Sequence, residues 1–123
     1  MTRKLCKTVF SACLACLSLS VPCAAETLYS WYGYQEKSYR YLKKNDDASY
    51  KSLIQSYESI IANQKTGRKA VPPGIYADYG WALIKAGNKE KGIAMLQKEM
   101  ELYPESRVFI TRILKRFTDA EQN

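Results

Sequence analysis

The amino-acid sequence predicts an all-α domain of about five helices arranged as antiparallel pairs. Three observations carry this. From about residue 31 onward, apolar residues recur at three- and four-residue spacings and never sustain the period-two alternation of a half-buried strand. Punctuation divides that stretch into pieces of helix length: "NDD" at 45–47, "RKAVPP" at 68–73, "AGN" at 86–88 and "YPES" at 103–106. The composition is that of a globular chain, 46 % hydrophobic and 25 % charged over 123 residues, enough for one small domain.

Each element follows from its pattern. A short first helix is expected over 33–44, with Tyr34, Tyr41 and Leu42 on one face and Lys37, Arg40 and Lys44 elsewhere. Asn45 to Asp47 is a turn that also caps the next helix. There Tyr50, Leu53, Ile54, Tyr57, Ile60 and Ile61 share a face, and Gly67 is the expected stop. Pro72 and Pro73 suit the entrance to a third helix reaching Lys85, with Ile75, Tyr76, Tyr79 and Leu83 inward. Gly87 closes it in a tight turn. A fourth helix over 89–102 turns Ile93, Leu96 and Met100 inward, and Pro104 ends it. The last helix runs to about Phe117, with Phe109, Ile110, Ile113, Leu114 and Phe117 as its buried side and Arg112, Lys115 and Arg116 facing out.

The third and fourth helices also fit a repeat. Tyr76, Gly80, Leu83, Gly87, Gly92, Leu96 and Pro104 fall in the 34-residue tetratricopeptide register. Gly80 and Gly92 let the two helices approach closely. Tyr79 and Glu99 depart from it, Glu99 standing where a small residue is usual. One such pair cannot bury its face alone. The helix pair over 33–66 is its upstream neighbour, the last helix caps the stack, and the expected object is a tetratricopeptide-like short solenoid.

The first 25 residues read as a leader, and 26–123 as the single helical domain. Arg3, Lys4 and Lys7 precede the uncharged run "TVFSACLACLSLSV" at 8–21, the n- and h-regions of a secretory signal. That run is shorter than the roughly 20 residues a spanning helix needs. All four cysteines, Cys6, Cys13, Cys16 and Cys23, lie in the leader, which excludes a disulfide scaffold for the domain. Two cleavage chemistries fit. A lipoprotein signal would acylate Cys23, although Pro22 stands where a small residue is usual. An ordinary signal would be cut after Ala25. The formal charge is +7; from Glu26 onward 16 basic and 12 acidic residues leave +4. This mild excess and the exported location do not suggest nucleic acid.

An enzyme needs a nucleophile, a base or a metal shell. The chain has no histidine and no cysteine beyond Cys23, and its acids are scattered. Asp46 and Asp47 read as turn and cap residues, Glu99 and Glu101 as solvated, and Asp78 as a surface acid on a repeat helix. No catalytic, metal or cofactor residue is expected. Ten tyrosines and two tryptophans point instead to binding. Trp31, Tyr34 and Tyr41 are expected in the core, and Tyr32 and Tyr39 on a partner surface. The alternative is a basic surface of Lys65, Arg68, Lys69, Arg112, Lys115 and Arg116 that meets anionic lipid or another envelope polyanion.

Three ordered segments carry a family resemblance: Leu28, Tyr29 and Trp31; Pro72, Pro73 and Gly74; and Pro104, Glu105, Ser106 and Phe109. With them the chain resembles the domain of unknown function numbered 4810, small bacterial envelope lipoproteins. The resemblance implies a tetratricopeptide-like domain tethered to the outer membrane by lipid on Cys23. It implies envelope-protein partners, among them a lipoprotein similar to the curli-secretion pore component, and no catalytic residues. Intact-mass measurement of the chain purified from the cell envelope is expected to show loss of the leader, with a diacyl mass added if Cys23 is the new terminus. An uncleaved Met1 start would overturn the export reading.

Overall fold

The computed structural model describes residues 27–121, with side chains through Phe117; the leader and Cys23 lie outside the described residues. The described chain is all helical: α1 (Tyr34–Lys44), α2 (Asp47–Ala62), α3 (Ile75–Lys85), α4 (Lys89–Leu102), a 3-10 turn (Pro104–Ser106) and α5 (Arg107–Glu121). The α3/α4 pair is the most closely packed, α1 pairs with α2, and α2–α3 and α4–α5 contacts join the pairs into a row.

The tightness of α3 against α4 has a specific cause. A Cβ on Gly80 would lie 2.6 Å from the Gly92 carbonyl oxygen; one on Gly92 would lie 2.5 Å from Ile84 Cγ1 and 2.6 Å from the Gly80 oxygen. Only hydrogen at both positions permits this backbone-to-backbone approach. Gly87, at φ 89, turns the chain between them, and the Gly87 and Asn88 N–H groups donate back to Ile84 and Leu83.

The core lies between α2 and α3, where Leu53, Tyr57, Ile60, Ile75, Tyr79 and Leu83 are buried as their spacing predicts. Asp46 caps α2: its side chain accepts the Ser49 N–H at 2.8 Å, and the Ser49 hydroxyl, then this N–H, hold its carboxyl below the usual range. On α5, Ile110 is wholly buried. It stands 34 residues after Tyr76, one tetratricopeptide period, so α5 begins a third repeat.

Several expectations are corrected. α2 stops at Ala62, not at Gly67. Beyond it the Gln64 side chain takes over: its Nε2 donates to the Ile60 carbonyl at 2.9 Å and to Ser30 O at 3.0 Å, while its Oε1 accepts the Ser30 N–H. These bonds draw the chain away from the helix axis and clasp it to the segment before α1. Trp31 is 39 % exposed and Leu42 76 % exposed rather than core. α1 packs chiefly on α2 and has no fully buried residue. Trp31 lies between two rings, 6.1 Å from both Tyr29 and Tyr34.

Glu99 is the sharpest correction. Expected in solvent, it is 0 % exposed. Its Oε1 accepts the Gly74 N–H at 2.6 Å, at the start of α3, and its Oε2 has no hydrogen-bond partner among the described residues. A carboxylate replaces the usual small residue because α3 begins there, and the unpaired N–H groups of a helix start attract negative charge. Burial pushes the carboxyl up; the N–H groups of Gly74, Ala77 and Tyr76 pull it the other way without cancelling the rise.

Two stability measurements follow from this packing. Gly80→Ala is expected to lower unfolding free energy by about 1–3 kcal/mol or more in urea titrations. Gly67→Ala, with nothing within 4 Å of the new methyl, should stay within about 0.5 kcal/mol of wild type. For Glu99 the folded pKa exceeds the unfolded one, so its contribution is full below the unfolded value of about 4.3 and is lost as pH rises through the folded value. Glu99→Gln should therefore gain stability relative to wild type as pH rises from 4 to 8. A difference that is constant with pH would show that the carboxyl does not titrate differently in the fold.

Candidate functional site

The first helices of successive pairs, α3 and α5, leave an apolar groove of about 540 Å³ between them. Its floor is Ala77 and the buried Leu96; its walls are Trp81 on α3 and Phe109, Ile113 and Phe117 on α5; Asp78 and Arg116 lie on its margins. The Trp81 and Phe117 rings meet at 5.7 Å. The first helices of stacked repeats run in one direction, and the Trp81–Phe117 contact, which joins the C-terminal half of α3 to that of α5, fits that arrangement.

The local sequence explains these positions. The inward side of α3 is taken by Ile75, Tyr76, Tyr79 and Leu83. Ala77 and Trp81, one turn apart, form the next stripe around the helix. On α5 the apolar stripe is wider than its neighbour α4 can cover, so Ile110 is buried while Phe109 is 64 % exposed; across the groove, Trp81 on α3 is 46 % exposed. Phe109 was expected on the buried side; among the described residues no further helix covers that face.

Asp78 is fixed from the other side. The Tyr34 hydroxyl of α1 donates to its Oδ2 at 2.6 Å. Burial, with the Asp78 carboxylate adding to it, pushes the Tyr34 phenol up to about 12. The phenol therefore remains a donor at any physiological pH and holds the carboxylate in place at the groove margin. The arrangement offers shape, apolar area and two opposite charges. Among the described residues no group of His, Cys, Asp and Glu is arranged to hold a metal.

The residues expected from sequence are dispersed. Tyr39 projects from α1, 65 % exposed. Tyr32 is partly exposed, but its hydroxyl donates to the Asn63 carbonyl, so it helps fasten the first segment to the end of α2. Neither lines the groove. Lys65, Arg68 and Lys69 are exposed on the α2–α3 connection, whereas Arg112, Lys115 and Arg116 are exposed along α5. The two sets sit on different elements, and of the six cations Arg116 lines the groove. Sequence reading missed Trp81 and Ala77. Their signal was a bulky aromatic one turn after a small residue, just outside the core stripe of a repeat helix.

No curated protein and no solved structure matches the chain. The family model for DUF4810, a domain of unknown function, matches residues 28–113, and the chain belongs to that family.

Proposed function

We propose that this protein is a non-enzymatic, exported interaction module of a bacterial cell-envelope assembly, and that it holds its partner in the groove between α3 and α5. The observation that carries this is the groove itself. Its 540 Å³ is of binding-site size, and it keeps a tryptophan 46 % and a phenylalanine 64 % exposed in a small domain. Aromatic side chains held on rigid helices are the residues most often found at the energetic centre of protein interfaces. Asp78 and Arg116 on the margins give an incoming segment one cationic and one anionic contact to choose by. The partner that suits these walls is an apolar segment of another envelope protein carrying charge beside its anchoring side chains. The family resemblance suggests a lipoprotein similar to the curli-secretion pore component, with the lipid on Cys23 keeping the domain at the outer membrane.

Affinity capture from envelope extracts tests the reading, with wild type beside Trp81→Ala, Phe109→Asp and Tyr39→Ala. The groove variants should lose the wild-type partner by roughly thirtyfold or more in affinity, as truncation of interface aromatics typically does. Tyr39→Ala should keep it. Equal recovery by all four would rule the groove out, and selective loss with Tyr39→Ala would move the surface to α1.

A further inference from the structure

We infer that one end of the helix row is a docking surface for an anionic lipid bilayer. That end is formed by the first described residues, the α2–α3 connection and the α4–α5 junction, and it is separate from the groove. Hydrogen bonds hold its parts together. The Arg68 N–H donates to the Leu28 carbonyl at 3.4 Å, and Arg68 Nη1 donates to the Tyr29 hydroxyl at 3.0 Å. The Lys65 N–H donates to Ser30 Oγ. The Tyr103 hydroxyl, just after α4, donates to the Val71 carbonyl.

The surface so assembled joins cations to isolated apolar side chains. Lys65, Arg68, Lys69 and Arg107 are exposed there. Leu28 is 60 %, Leu102 49 % and Val108 64 % exposed. The exposed acids beside these segments are Glu105, Glu101, which accepts from Lys98 at 3.1 Å, and Glu36 in the first turn of α1, which accepts from Arg40. Ammonium and guanidinium groups meet lipid phosphates, and aliphatic side chains among them enter the boundary between headgroup and acyl chain. A protein partner would call for a contiguous apolar centre, which single leucines and a valine scattered among cations do not make. The opposite end, at the α1–α2 and α3–α4 turns, carries Asp46 and Asp47 among its lysines and Leu42 as its exposed apolar residue.

The chain that precedes the fold supports the same occupant. Leu28 stands five positions after Cys23, a reach of about 17 Å when extended. Either an acyl group on Cys23 or the apolar run at 8–21 would bring a bilayer against this end first. The backbone N–H groups of Arg68 and Lys65 fasten the loop to residues 28 and 30 at that exit point, so its cations would meet the headgroups as the chain meets the membrane.

Vesicle flotation of the full chain tests the proposal, using phosphatidylglycerol–phosphatidylethanolamine vesicles and phosphatidylcholine vesicles. The triple variant Lys65→Gln, Arg68→Gln, Lys69→Gln is compared with Lys43→Gln, Lys51→Gln, Lys85→Gln, which has the same leader and the same net charge. Binding to the anionic vesicles should fall at least about tenfold in the first triple and change by less than about threefold in the second. It should also weaken at high salt. The double variant Lys65→Gln, Lys69→Gln, which leaves the Arg68 contacts to Tyr29 in place, should fall in between; circular dichroism establishes that each variant is folded. Equal loss in both triples, no loss in the first, or equal binding of wild type to both kinds of vesicle would overturn the proposal.

Discussion

The structure depends on the contact of two backbones. Gly80 and Gly92 bring α3 and α4 so close that neither position has room for a methyl group. Buried side chains then act over the full length of the hairpin. Leu96 is covered, Glu99 reaches the start of α3, and the Gly87 turn closes without strain on a bulkier residue. Protein interiors pack too densely for a spacer atom there to be absorbed by small shifts elsewhere. With the α3/α4 hairpin set, α2 has a fixed surface on one side and α5 on the other.

What joins the first part of the chain to that hairpin is mostly aromatic. Ring contacts run from Tyr29 through Trp31, Tyr34 and Tyr57 to Tyr79 at centroid separations of 5.3 to 6.1 Å. The ends of the series are polar. Arg68 lies over the Tyr29 ring, Lys91 over Tyr79, and the Tyr79 hydroxyl donates to Glu58. Tyrosine serves here because each ring gives apolar area in the interior and a hydroxyl at the margin. α1, with no fully buried residue, is held by these rings, by the capped turn at Asn45 to Asp47 and by the Gln64–Ser30 clasp. The tyrosine richness thus has a structural account before any binding role: Tyr34, Tyr57 and Tyr79 pack, and Tyr32 fastens.

The groove is a consequence of repeat geometry. α3 and α5 occupy equivalent places one period apart, and the first helices of a solenoid line one continuous face. In a long array that face would be shared among many repeats. Here it is concentrated between two helices, so Trp81 and Phe109 stand on a short apolar surface with Asp78 and Arg116 as its charged residues. The Tyr34–Asp78 bond links this face to α1, so all three first helices contribute to it.

The fold was largely legible in the sequence, because helical periodicity, caps, turn glycines and prolines are local signals. Five helices, their pairing, the close approach of Gly80 to Gly92 and the inward faces of α2 and α3 could all be read from residue types and spacings. The errors share one cause: a helix's apolar stripe is visible in sequence, but how much of it a neighbour covers is not. Leu42 and Phe109 lie on the expected stripes and Trp31 just before the first helix; they remain exposed because, among the described residues, α1 and α5 are the end helices. Glu99 erred in the other direction, since only the meeting of α4 with the start of α3 gives a buried carboxylate its N–H partner. Gln64 ended α2 early through a bond to Ser30, 34 positions away. The sequence by itself determined which segments are helices and which pair must touch, because those depend on neighbours along the chain. Only the tertiary structure decided which apolar residues stay exposed and which cations stand beside the first described residues, because exposure is a property of what other segments cover.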